Sequence, residues 1–419
     1  MTQLATYTLM NRHTPVLDFL YDLQQENFVE ICEVHDLSYA PLMLTARGHE
    51  ADMDALLCAL RLWWGKRIVP ASRPHMRQTL GYFYPGTEAM GEDRQGLDRK
   101  ISQLARVNSG LSLSDQYWIS DRDNPVSWDE INYFDNPFAN DVGEAFFADD
   151  NSPTTALSFD DASPNYTLVG MMQKAWRCVD GRRLLYKSSR LEQQLVNELI
   201  ATGLYRRLLS EDEFVHYSIE FENDKMYSVC ENMLDSVREL VPALHLAHHY
   251  GFVDALKNYQ GYYPYADALK NAGVPDVGLS LSKMIVGDYL LANTDRHWTN
   301  FGAIRNVETL EIERIAPLFD NGNSLYFNQM ERFLKGEKVS FEVSHSFCRY
   351  PYEQLELVSC LDWFDAAQLE GFGESVEEVL LPLFEWAGQR GIEFVRHIVG
   401  DFEARVKTLE ELQKDLSAR

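Results

Sequence analysis

LLANTDRHWTNFGAIRN, Leu290 to Asn306, is the densest cluster of reactive side chains in the chain. An apolar run ends in Asp295-Arg296-His297, and an amide, Asn300, follows five residues after the acid. Two readings compete. A helix C-terminus with a polar cap has this composition, and so does a catalytic loop for phosphoryl transfer. The second needs few protein groups: a carboxylate at the attacking hydroxyl, oxygen ligands for Mg²⁺, and a lysine on the phosphates. Hard oxygen donors are required because Mg²⁺ is a hard cation.

The five-residue step from Asp295 to Asn300 is the acid-to-amide spacing of the protein-kinase catalytic loop, HxDxxxxN. Here His297 follows the acid instead of preceding it, giving DRHxxN. Downstream, Ile315-Ala-Pro-Leu-Phe-Asp320-Asn-Gly322 ends an apolar run in an acid, 25 residues after Asp295. By itself an Asp-Asn-Gly is a turn, but at that distance it reads as a second metal ligand.

Upstream, Gln173 to Ser188 reads as two strands around Asp180-Gly181, a strong two-residue hairpin signal. Lys187 lies near the end of the second strand, where a kinase keeps its phosphate lysine. A helix is expected over Leu191 to Leu209 and offers Glu198 as the partner of that lysine, with Glu192 as the alternative. A second hairpin-like pair, Phe214 to Phe221 and Met226 to Val229, follows. Tyr227 to Met233 is the expected adenine hinge, and Glu231 is its candidate side chain. The loop before the first hairpin, Ser163 to Lys174, has one glycine, Gly170, which can offer backbone N–H groups to phosphate. His245 and His249 have the i, i+4 spacing of a zinc pair, but no third ligand is evident.

This ordered set resembles HipA-like serine/threonine kinases over roughly Ser163 to Asp320, and more distantly phosphoinositide 3-kinase-like and actin-fragmin kinases. DRHxxN and APLFD match the HipA-like patterns, and the loop Thr167-Leu-Val-Gly-Met-Met-Gln-Lys174 matches the S-x-x-G-x-Q-x-K loop in part. The resemblance implies ATP and Mg²⁺ as cofactors, with Asp295 catalytic. It implies Asn300 and Asp320 as metal ligands, and Lys187, Glu198, Gly170 and Glu231 around the nucleotide. Thr167 stands where the family autophosphorylates a serine, with Ser163 a second candidate. It also implies a protein Ser/Thr acceptor, translation-related in the family, and a DNA-binding antitoxin as partner. A lipid or small-molecule kinase and a non-catalytic pseudokinase adaptor are the alternatives.

The expected fold is α+β: a bilobal protein-kinase-like fold with a small β-rich lobe (163–235), a larger helical lobe (236–419) and an extra N-terminal α/β domain (1–119). Between them, 120–162 is an acidic connector. Ser120 to Asp161 holds eleven acids and one base, interleaved with aromatics such as Trp128, Tyr133 and Phe138. Rings in so acidic a stretch imply an extended segment pinned to the body, with a flexible end near Asp149 to Pro153. Trp63-Trp64 closes an apolar N-terminal helix and reads as core. Ser375-Val-Glu-Glu378 is a capping-box pattern before VLLPLF, where Pro382 should kink or stop the helix. Val395 to Leu412 places its apolar residues on one helical face.

The bulk composition narrows the partners. Among 419 residues, 64 acids against 38 bases leave a net charge of -26. Such a field repels phosphate backbones and anionic lipid, so no direct nucleic-acid or membrane contact is expected. A basic partner is favoured. Six cysteines without a CxxC suit a reducing, cytoplasmic location.

Overall fold

The computed structural model describes residues 3–46, 52–84, 93–147, 157–158 and 161–418. The expected flexible end at Asp149 to Pro153 lies outside them. The fold is α+β, with three antiparallel sheets among the described residues and a large share of helix. None of the described helices is long and apolar enough to cross a membrane.

The N-terminal sheet has the order β3-β2-β1-β4, built from β1 (Leu4–Asn11), β2 (Thr14–Asp22), β3 (Asn27–Val34) and β4 (Tyr117–Asp121). Its inner face carries Leu9, Phe19, Tyr21 and Phe28, all buried. Against it pack helices α1 (Met53–Arg67), α2 (Met76–Phe83) and α3 (Arg94–Val107). α1 starts where the Asp52 side chain accepts from Asp54 N and Ala55 N, and it carries Lys66 and Arg67 in its last turn. Both ends therefore suit the helix dipole. Trp63 and Trp64 are core. So are rings of the acidic segment: Trp128, Tyr133, Phe138, Phe146 and Phe147 are buried.

The second sheet, β5-β6-β8-β7, forms one wall of the main cleft. β5 (Gln173–Val179) and β6 (Arg182–Ser188) pair in unbroken register from Gln173↔Ser188 to Val179↔Arg182. Asp180 (φ 50°) and Gly181 (φ 78°) form the turn, as the Asp-Gly signal requires. β7 (Tyr217–Glu222) and β8 (Lys225–Glu231) close a second hairpin through Asn223 and Asp224, both at positive φ. Helix α4 (Glu192–Leu208) follows β6.

The remainder is mainly helical. α5 (Ala243–Tyr250), α6 (Tyr262–Asn271), α7 (Val277–Leu291), α8 (Phe372–Phe384) and α9 (Gln389–Ser417) share one apolar core, to which α4 contributes Ile200, Leu204 and Tyr205. A third sheet, β11-β10-β9, joins β9 (Arg238–Pro242), β10 (Gly302–Asn306) and β11 (Ile312–Ile315). Gly302 is required there, because a Cβ would lie 2.1 Å from the Val241 carbonyl oxygen.

The capping-box expectation is corrected. α8 begins at Phe372 after Gly371 (φ 73°), so Ser375 lies inside the helix and donates to Gly371 O. Pro382 does not stop it, and the helix runs two residues further to Phe384.

Candidate active site

The opening stretch follows α7 directly. Ala292 ends that helix in the left-handed conformation, donating to Asp288 O and Tyr289 O. The turn throws the chain into a loop braced from inside by Arg296, one of the largest fully buried side chains. Its guanidinium meets Asp288 (Nη2–Oδ1, 2.8 Å), Asn300 O (2.9 Å) and Asn321 Oδ1 (2.7 Å), and it also donates to Phe319 O. One arginine thus ties the DRHWTN loop to the segment carrying Asp320. Asp288, the one acid of α7, is the signal by which this anchor was readable. Arg296 therefore shapes the loop as a scaffold.

Asp295 lines the cleft, and its Oδ2 accepts from Asn323 Nδ2 at 2.7 Å. Burial raises its pKa and is opposed chiefly by His297, while Asp320 adds to the rise. His297 is shifted down by its own burial. Asn300 donates Nδ2 to Asp295 O at 2.9 Å, which leaves its amide oxygen available to a ligand.

Lys187 is almost fully buried and held between two acids. Nζ donates to Glu198 Oε1 at 2.6 Å and to Asp320 Oδ1 at 2.9 Å, and also to Tyr217 OH at 3.2 Å. Burial opposes its charge, but Asp320 and Glu198 outweigh it and hold its pKa well above the usual lysine value. Glu198, not Glu192, is the partner. Its other oxygen accepts from Asn321 N at 2.8 Å, so α4 is tied to the Asp320 segment as well. Asp320 keeps a third of its side chain exposed and sits at φ 59°. Aspartate tolerates that region better than most residues, and such positions cluster at functional sites. Burial works against its charge, yet Lys187 and Lys174 hold its carboxyl below the usual range. A pair of hydrogen bonds, Val215 N to Leu318 O and Leu318 N to Glu213 O, joins this segment to the chain entering β7.

Lys174 is a cleft residue that sequence reasoning passed over. It lies opposite Lys187 across the β5–β6 ladder. Burial pushes its ammonium down to about 8, against the pull of Asp320. Asn323 was also missed, although it follows Asp320-Asn-Gly directly.

Of the other expected residues, Gly170 (φ 107°) and Thr167 line the cleft. The Thr167 hydroxyl is buried and donates to Leu111 O at 2.6 Å. Ser163 is buried beneath the loop and caps it, accepting from Asn165. Glu231 reaches the cleft rim, but its carboxylate pairs with Arg182 at 2.8 Å and is half exposed. His245 lines the cleft, while His249 bonds Thr45. Among the described residues only Asp18, Glu33 and His35 bring three His, Cys, Asp or Glu ligand atoms together, and Asp18 is already engaged by Arg122 and Thr8.

The cleft has a volume of about 1120 Å³. Asp320, paired with Lys187, and Asn300 present hard oxygen atoms to this cleft, a donor type that fits Mg²⁺ on a polyphosphate.

Neither a family model nor a curated protein matches the chain. Among solved structures it is similar to the crystal structure of a Helicobacter pylori proinflammatory kinase, CtkA. The two share 16% identity over 58% of this chain and 94% of that one, with a TM-score of 0.44.

Proposed function

We propose that this chain is an ATP-dependent phosphotransferase, a HipA-like serine/threonine protein kinase. The observation that carries the reading is Lys187, buried and fixed between Glu198 and Asp320, with Asp295 and Asn300 on the same cleft. That is the minimal inventory for moving a phosphoryl group.

In this reading the chain is bilobal, with residues 163–235 over the nucleotide, 236–419 beneath, and 1–119 and 120–162 as additions. Lys187 contacts the α/β-phosphates, and Glu198 keeps it aimed. Gly170 offers its backbone to the phosphates, and the backbone around Glu231 takes the adenine. Asn300 and Asp320 hold Mg²⁺, which when bound neutralises charge on the phosphate oxygens. Asp295 orients the acceptor hydroxyl and takes its proton. Asn323 keeps the carboxylate turned and ionised. The chain's negative charge supports a basic protein acceptor and a basic, DNA-binding antitoxin partner. Thr167 and Ser163 are the autophosphorylation candidates. Both hydroxyls are buried, so modification requires the 163–170 loop to leave its seat.

The test is incubation of the purified chain with Mg²⁺ and labelled ATP. Label on the chain, lost in Asp295→Ala and mapping to Thr167 or Ser163, is the expected result. No nucleotide binding and no label refutes the kinase. Label passing only to lipid or a small alcohol refutes the protein-kinase assignment alone.

A further inference from the structure

The segment leaving α1, Val69-Pro-Ala-Ser-Arg-Pro74, is set between two prolines, each of which fixes a φ angle. Arg73 N donates to Pro70 O at 3.0 Å and closes a stiff turn. The Arg73 side chain is 3% exposed, and its guanidinium lies over the Phe146 ring, 5.9 Å from the centroid. One edge of the fork grips a single loop. Nε donates to Gly170 O at 2.8 Å, and Nη2 donates to Leu168 O. The N-terminal unit takes the same loop at two further points. Thr167 Oγ1 donates to Leu111 O at 2.6 Å, and Val69 N donates to Tyr166 O at 3.4 Å.

The gripped carbonyls decide where the loop's donors face. Across a planar trans peptide the N–H points opposite to the C=O. With Leu168 O and Gly170 O drawn back to Arg73, the N–H groups of Val169 and Met171 are turned the other way. Among the described residues neither has an acceptor. Residues 168 to 171 line the cleft, and Arg73 stands behind them, outside its lining. The Lys174 ammonium marks the same place, since it lies 2.8 Å from where a Cβ on Gly170 would stand. Gly170 itself sits at φ 107°, a conformation that favours glycine. Two free amides beside a lysine form a concave donor set for phosphate oxygens.

We propose that Arg73 is a positioning residue for the nucleotide phosphates: it pulls two loop carbonyls back and so presents Val169 N–H and Met171 N–H to the cleft. The N-terminal unit then contributes to nucleotide binding without touching the nucleotide. The inference rests on the phosphotransferase reading of the cleft. It adds that affinity for the phosphates and affinity for the nucleoside are set by different parts of the chain.

The experiment is calorimetric titration of the full chain, Arg73→Lys and Arg73→Met with Mg-ATP, and with adenosine as the probe that lacks phosphates. Methionine fills the space of the arginine stem but offers no donor. Lysine keeps the charge and can still reach one carbonyl. ATP affinity should fall in the order wild type, Arg73→Lys, Arg73→Met. The last step down should total about tenfold or more, the worth of one hydrogen bond to a charged group. Adenosine affinity should be the same in all three. A role in packing alone would weaken both ligands together; that result, or unchanged ATP binding, overturns the inference. Should Arg73→Met not fold, the wild type and Arg73→Lys decide on the same ratio of affinities. Amide hydrogen exchange on the wild-type chain needs no variant. Mg-ATP should protect Val169 and Met171 and adenosine should not, and ATP binding without that protection also overturns the inference. A wild type that binds neither ligand refutes the phosphotransferase reading itself, and this inference falls with it.

Discussion

Two clusters of buried charge border the same cleft, and they differ in one respect. Lys187, Glu198 and Asp320 form the first. Glu239 and Arg305 form the second, at 3.2 Å, with Tyr117 OH 3.1 Å from the same carboxylate oxygen. Arg305 also donates to Ser38 O and Ala40 O. The second cluster therefore joins β9 and β10 to the N-terminal unit. In it both charged side chains are nearly inaccessible, at 2% and 3%. In the first, Lys187 and Glu198 are equally hidden, but Asp320 is 32% exposed to the cleft. Burial and pairing alone do not mark a functional charge. The mark is one member left partly open to a cavity, so that its neighbours hold its charge ready for something outside the protein.

The sharpest way to break this contrast is to exchange the consequences. Asp295→Ala should cut phosphate transfer by roughly 10²–10⁴-fold, the usual worth of a positioned general base, with an unchanged melting temperature. Arg305→Met should do the opposite. It leaves Glu239 buried without its partner, which costs about 3–5 kcal/mol, read by urea unfolding. Transfer per folded molecule should stay at the wild-type rate. A stable Arg305→Met protein, or one that folds but transfers nothing, would remove the distinction.

A weaker effect comes from Lys174. Its ammonium, pushed down to about 8 by burial, should lose its proton as the pH rises through that value. A bound polyphosphate favours the charged form, so binding takes up a proton above pH 8. The nucleotide Kd should then rise with pH by up to tenfold per unit, and Lys174→Met should flatten the profile. A wild-type Kd independent of pH between 7 and 10 would exclude Lys174 from the phosphates.

What the sequence disclosed and what it withheld follow from range. The Asp180-Gly181 turn and the DRHWTN loop are decided within a few residues, and both were legible. The choice between Glu198 and Glu192 was not, since it depends on the phase of α4 against the sheet. Asn323 and Lys174 were in view but unweighted, because an amide after a turn and a lysine on a strand are ordinary until another segment is brought beside them. Arg73 was invisible. It reaches the 168–170 loop across nearly 100 residues of chain, and no local pattern records that contact.

The smallest predicted effect tests whether Asn323 belongs to the open cluster. Its Nδ2 bonds the ionised form of Asp295, whose pKa burial has raised. Only the carboxylate can take the acceptor's proton, so transfer should rise with pH through the Asp295 titration, above the ordinary aspartate value. Asn323→Ala removes a bond that favours the charge. A hydrogen bond to a charged group is worth about 1.5–3 kcal/mol, and 1.36 kcal/mol corresponds to one pH unit. The acid limb of the rate profile should therefore move up by about one to two units, while the plateau at higher pH changes much less. A profile that falls uniformly without moving would make Asn323 a packing residue and leave Asp295 to burial and His297 alone.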